Sequence, residues 1–197
     1  MSSAVREEDK FHNYEELLNY VTKEITKQGE NVVIKNLDVS GIKDLSHLFY
    51  DLPNYVKTID LSGWKTEDAT SLEGLFYFSG SLESIDLSGW NTSSVTDMSW
   101  AFCDCINLKS IVFPDWNTDS ARDIRYMFDH CVNLKSLDLS GWNTSSVVDM
   151  SWMFSGCKSL QSLDLTGWDT NDMADKDYIF KDCPAPYEVV DNKIVRK

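Results

Sequence analysis

The chain has 197 residues, 42% of them hydrophobic and 25% charged, a composition typical of a globular chain forming one domain. Its 18 Lys and Arg stand against 32 Asp and Glu, a formal net charge of -14, so its field repels nucleic acid and anionic membranes and favours basic partners. The sequence shows neither a secretory leader nor a membrane-length apolar run, so the expectation is a cytoplasmic protein without direct nucleic-acid or membrane binding, extracellular only if a native leader has been removed.

Residues 1–28 hold the first element. Phe11, Tyr14, Leu17, Leu18, Val21 and Ile25 recur at helical spacing and predict an amphipathic capping helix over 10–28. Residues 29–183 form a repeat array. Its irregular first unit, 29–55, is recognised by "DLSHLF" at Asp44 to Phe49, which matches "DMSWMF" at Asp149 to Phe154. Regular units start at 56, 82, 108, 134 and 160 with "VKTIDLSGW", "LESIDLSGW", "LKSIVFPDW", "LKSLDLSGW" and "LQSLDLTGW", each 26 residues after the last.

Within a unit, Leu134, Leu137 and Leu139 follow L-x-x-L-x-L, a short strand whose alternate apolar residues point into a stacked core. Then "DMSWMFSGC" places Met150, Met153, Phe154 and Cys157 at i, i+3, i+4 and i+7, which predicts a short helical segment with Asp149 at its N-cap. Neither piece buries its apolar face alone, so stability comes from stacking coil on coil. Columns of Trp (64, 90, 116, 142, 168), Phe (76, 102, 128, 154, 180) and Thr (66, 92, 118, 144, 170) run through the array. The threonines stand in for the loop-bonding Asn of a common leucine-rich repeat. In the last segment, 184–197, Pro184 and Pro186 break the pattern and "YEVVDNKIVRK" predicts a capping hairpin turning at Asp191-Asn192. The expected fold class is an α/β leucine-rich-repeat solenoid, with a parallel sheet on one face and short helical segments on the other.

The unit "SLDLSGWNTSSVVDMSWMFSGCKSL" resembles the BspA-like class of bacterial leucine-rich repeats over about residues 56 to 183. The resemblance implies an elongated, non-catalytic binding surface, in the family's surface members that of an adhesin. It supplies no catalytic residues to carry over.

Two rows are candidate partner surfaces. The outward strand column Asp60, Asp86, Val112, Asp138 and Asp164 is a carboxylate ladder broken once, and Pro114 replaces Ser or Thr beside the break. Carboxylates roughly 5 Å apart repel by about 1 kcal/mol per pair at high dielectric, a cost that Lys neighbours or a basic partner would relieve. The column is equally readable as a template residue copied at each duplication. Val112 with Asp86 and Asp138 forms an apolar centre with an acidic rim, as interfaces do, while drift in one coil is the plainer alternative. The second row, Trp100, Tyr126, Trp152 and Tyr178, lies off the inward stripe: it is either an exposed interface or a set of rings lying flat on the next coil.

The five Cys lack paired C-x-x-C spacing, and their column at 105, 131, 157 and 183 lines up rather than converging on a tetrahedron, so buried filling is expected and no metal or cofactor. His12, His47 and His130 fall in unrelated parts of the repeat, and no catalytic set can be assembled from them. The expectation is a non-enzymatic module binding a basic protein partner. The alternatives are an acidic, possibly phage- or mobile-element-encoded inhibitor that occupies the nucleic-acid groove of a host enzyme, and a surface adhesin.

Overall fold

The computed structural model describes residues 10–114, 116–168, 174–191 and 193–197. Helix α1 (Tyr14–Gln28) opens where the Asn13 side chain accepts the Glu16 N–H at 2.9 Å and where Glu15 and Glu16 face the positive end of the helix dipole. It closes at Gly29, whose φ of 74° only glycine takes without strain and whose N–H bonds the Ile25 carbonyl. Leu17, Val21 and Ile25 bury one stripe of it against the first coil. The predicted cap is therefore present, with residues 1–9 outside the described region.

Six three-residue strands follow: β1 (Asn31–Val33), β2 (Thr58–Asp60), β3 (Ser84–Asp86), β4 (Ser110–Val112), β5 (Ser136–Asp138) and β6 (Ser162–Asp164). Each pairing is parallel and in register with the next coil, Ile59 opposite Ile85 and Leu137 opposite Leu163. The middle residue points inward and its neighbours outward, as the period of two requires. β7 (Tyr187–Val190) and β8 (Lys193–Arg196) form the predicted antiparallel hairpin, and the Tyr187 ring packs 6.2 Å from Phe180 to cover the last coil. Asn192 of the expected turn lies outside the described residues. The whole is a parallel β-solenoid closed by a helix at one end and a hairpin at the other.

The segments expected as short helices are turns; α1 is the only helix among the described residues. Met150, Met153, Phe154 and Cys157 are all buried, as the spacing predicted, but the backbone runs differently. N–H groups alternate: those of Met150, Trp152 and Phe154 bond carbonyls of Asp175, Asp177 and Ile179 in the next coil, while those of Met153, Ser155 and Cys157 bond three residues back. A helix needs every N–H on its own i−4 carbonyl. Half of these serve the stacking instead, and left-handed turns at Trp152 and Gly156 redirect the chain. Asp149 accordingly closes a tight turn, accepting from the Ser151 N–H at 2.9 Å, rather than capping a helix.

Stacking also decides the interior. Phe49, Phe76, Phe102, Phe128, Phe154 and Phe180 form one column of near-parallel rings with neighbouring centroids 5.1, 5.7, 5.4, 5.9 and 5.6 Å apart. The indole N–H groups of Trp64, Trp90 and Trp168 donate to main-chain carbonyls of Ile34, Leu61 and Leu139. The threonines do what the sequence suggested: the Thr92 hydroxyl donates to the Asn117 carbonyl at 2.9 Å and accepts the Asn117 N–H at 2.8 Å. Thr66 and Thr118 treat Asn91 and Asn143 alike; Thr170 lies outside the described residues. Thr92→Val keeps the shape but strips both backbone groups of their partner, so it is expected to lower stability by about 1–3 kcal/mol in urea unfolding.

Candidate functional site: a seam in the strand face

The parallel sheet is interrupted once among the described strands. β1 to β4 form one sheet and β5 with β6 another, and no pairing joins β4 to β5. Elsewhere the ladder continues past the strands: Lys109 and Ser110 donate to the Glu83 carbonyl, and Gln161 and Ser162 to that of Lys135. Among the described residues no such bond runs from Lys135 or Ser136 to Lys109.

The cause lies in "IVFPDW". The column Leu61, Leu87, Leu139, Leu165 holds Phe113 in this coil. The larger ring sits 5.3 Å from Trp116 and 5.9 Å from Trp142, and the two tryptophans lie 6.3 Å apart, against 5.4 Å for Trp64 and Trp90. A Phe where the template packs Leu overfills the layer, and the coils part on the strand side. On the far side they stay joined, through the Asp123 and Asp149 bridge and the Thr118 bonds to Asn143. The result is a wedge-shaped cleft of about 810 Å³ lined by residues of three coils, among them Ile111, Phe113, Trp116, Leu137, Trp142 and Asp138.

Two further consequences follow at this coil. In other coils the Asp accepts the N–H of the residue two ahead: Asp86 from Ser88 at 2.9 Å, Asp138 from Ser140 at 3.0 Å and Asp164 from Thr166 at 2.9 Å. Here Val112 removes the acceptor and Pro114 the donor, so neither is orphaned. The Trp116 indole N–H, unlike its counterparts at Trp64, Trp90 and Trp168, is buried without a hydrogen-bond partner. An unmet buried donor costs on the order of 1–3 kcal/mol.

The structure places Asp60, Asp86, Val112, Asp138 and Asp164 outward on the strand face, in register. Asp60 and Asp86 are half-buried, Asp138, Asp164 and Pro114 exposed, and Val112 is 44% exposed. The aspartates thus have a turn-forming duty that accounts for their type in every coil, and Lys35 also relieves the ladder, at 2.6 Å from Asp60. Burial opposes the charged form of Asp60, but the hydrogen bonds from Lys35 and Ser62 outweigh it and hold its carboxyl below the usual range. Hydrogen bonds from Thr166 do the same for Asp164. In the β3–β4 pair Asp86 faces Val112, so an apolar gap lies in the acidic row beside the seam.

The aromatic row is brought together as a stack. Trp100 and Tyr126 lie 4.0 Å apart, Tyr126 and Trp152 5.8 Å, and Trp152 and Tyr178 4.5 Å. The first three are half-buried by each other, and Tyr178, at the end, is 58% exposed, with Lys181 above it and Trp152. All four take positive φ, between 55° and 61°, in the column that Gly74 occupies in the second coil. The rings therefore lie along the stack and cover one another.

Behind this row Asp97, Asp123 and Asp149 form a second acidic column, with Arg125 at 3.3 Å from Asp123 and 3.7 Å from Asp149. Burial, with Asp97 and Asp149 adding to it, pushes the Asp123 carboxyl from 3.8 to about 6. A folded pKa above the unfolded value favours the protonated state, so this group contributes stability in full below about pH 4 and loses it as pH rises through about 6. Asp123→Asn keeps the Oδ1 acceptor for the Arg125 N–H and removes the charge. It is expected to stabilise the protein by ~1 kcal/mol near pH 8, after screening of a half-exposed group, and to be neutral near pH 4. Thermal unfolding at the two pH values checks it.

All five cysteines are buried and free. Cys105, Cys131 and Cys157 each donate to a Phe carbonyl of the preceding coil, at 3.3, 3.2 and 3.0 Å. Cys103 lies 3.6 Å from Asp104 and 3.9 Å from Asp129 Oδ2, the same oxygen that meets His130 at 2.9 Å, a grouping that only the fold assembles. Burial and the two carboxylates push its thiol pKa up, the opposite of an activated thiolate. No group of three or more metal-capable side chains occurs among the described residues.

The class these features define is a β-solenoid of stacked 26-residue repeats, capped at both ends and opened at one seam. The family model described as "Mycoplasma protein of unknown function, DUF285" matches residues 12–113 and 96–192, and the chain belongs to that family. The match and the solenoid together fit a BspA-like repeat protein. No curated protein and no solved structure matches the chain.

Proposed function

We propose that the chain is a non-enzymatic binding module that recognises a basic protein partner through the strand face around the seam. The observation that carries this reading is the apolar opening in an acidic surface: Ile111 is only half-buried where its column mates are buried, Val112 stands free, and Asp86 and Asp138 flank them. An apolar centre inside a charged rim is the anatomy of recognition patches. The net charge of -14 would steer a basic partner toward it and make association fall with salt.

The test is capture from lysates of the native cell and of cells it contacts, comparing the natural chain with the Asp86→Lys/Asp138→Lys double variant. A partner retained by the natural chain is expected to be lost by the variant, since like charges now meet. Equal capture by both would overturn the reading. A partner displaced by added duplex DNA would identify the narrower case, an inhibitor that occupies the groove of a nucleic-acid-binding protein.

A further inference from the structure

We propose that the seam between β4 and β5 is a strand-docking site, seating an extended segment of a partner protein that alternates apolar and basic side chains. The proposal rests on the binding-module reading and names the form of the partner. Four observations converge on it. First, β4 and β5 are the facing edges of two sheets, each satisfied on its other side by β3 or β6 and unpaired toward the seam. Their backbone groups on the seam side have no strand partner, and unpaired edges are how sheets recruit a chain.

Second, the cleft interior supplies what alternate side chains of such a strand need: the flanks of Phe113, Trp116 and Trp142, with Ile111 and Leu137 at the floor. Third, the Trp116 indole in the cleft wall carries a buried N–H without a partner, whereas those of Trp64, Trp90 and Trp168 bond a carbonyl of the preceding coil, so the cleft wall holds a polar group that the coil stack does not satisfy. Fourth, Asp138 and Asp164 line the same cleft beside Lys109, leaving an acidic rim for Lys or Arg on the guest's outward face. A small molecule would use the aromatic walls but leave the unpaired backbone groups of β4 and β5 open. That difference favours a polypeptide.

The probe is a blocked eight-residue peptide of alternating valine and lysine, with a glutamate-for-lysine version and a version N-methylated at alternate residues as controls. Tryptophan fluorescence reads binding, and hydrogen exchange reads the amides of residues 110–113 and 135–139. The valine-lysine peptide is expected to shift the fluorescence and slow exchange at those amides at least tenfold, and both controls to bind at least tenfold more weakly. The variant Val112→Asp/Phe113→Leu/Pro114→Ser, which restores the template and closes the seam, is expected to lose the peptide while keeping its far-ultraviolet spectrum. Equal binding by the N-methylated peptide or by the closed variant overturns strand docking. So does protection of these amides by neutral naphthol with none by the peptide, which assigns the cleft to small molecules. Partner capture that depends on Asp86 and Asp138, without peptide binding, sinks this inference and leaves the module reading standing. Absence of any such capture sinks the module reading itself.

Discussion

Phe102→Ala is expected to cost about 3–5 kcal/mol of unfolding free energy, against a total stability of about 5–15 kcal/mol for a domain. The ring is fully buried and lies between Phe76 and Phe128 at 5.7 and 5.4 Å, with Trp116 at 6.2 Å. Truncation leaves a cavity bounded on both sides by neighbouring coils, which cannot collapse into it without breaking their own backbone bonds. Among these are Phe76 N–H to Ala101 C=O at 2.7 Å and Phe102 N–H to Met127 C=O at 2.9 Å. Stability in a solenoid is close to a sum of coil and interface terms, so damage in the middle weakens two interfaces at once. Phe180→Ala, at the half-buried end of the same column, is expected to cost less than half as much. Urea unfolding of the pair decides it: equal losses would mean that the column does not act as a chain of interfaces.

The seam-closing variant Val112→Asp/Phe113→Leu/Pro114→Ser is expected to stabilise the protein by ~2–4 kcal/mol. Restoring the β4–β5 ladder adds backbone hydrogen bonds worth roughly 1 kcal/mol each. The three changes belong together. Val112→Asp alone adds an acceptor with no N–H at Pro114 to meet it, and Phe113→Leu alone leaves Pro114 without a donor on the turn. Exchange at the Lys135 and Ser136 amides should slow to the level of Gln161 and Ser162. A natural sequence that forgoes this stability at one coil fits the trade commonly found between a binding site and its scaffold. An unchanged urea midpoint with unchanged exchange would show that Phe113 is not what holds the seam open.

Much of the molecule was legible because stacking forces every coil to repeat its inward residues at the same interval. That made the Phe and Trp columns, the Thr column and the register of the strands readable from a 26-residue spacing alone. The short helices were misread because periodicity reports which side chains point inward and not where the backbone bonds go. Met150, Met153, Phe154 and Cys157 are buried either way. The strand-face aspartates were read as a ladder for a partner, and the fold shows that each also closes its own turn, a role visible in hindsight as Asp-x-Ser.

At the seam the break in the template is visible in the sequence at Val112 and Pro114, but Phe113, the residue that opens it, carries no signal there because Phe and Leu are both apolar. Its effect depends on volume against two tryptophans from different coils. The repeat, its period, its caps and its core columns follow from local pattern copied along the chain and are written in the residues alone. The parting of β4 and β5, the unmet Trp116 indole and the self-covering aromatic row emerge in the folded stack, because each depends on how neighbouring coils fit in three dimensions.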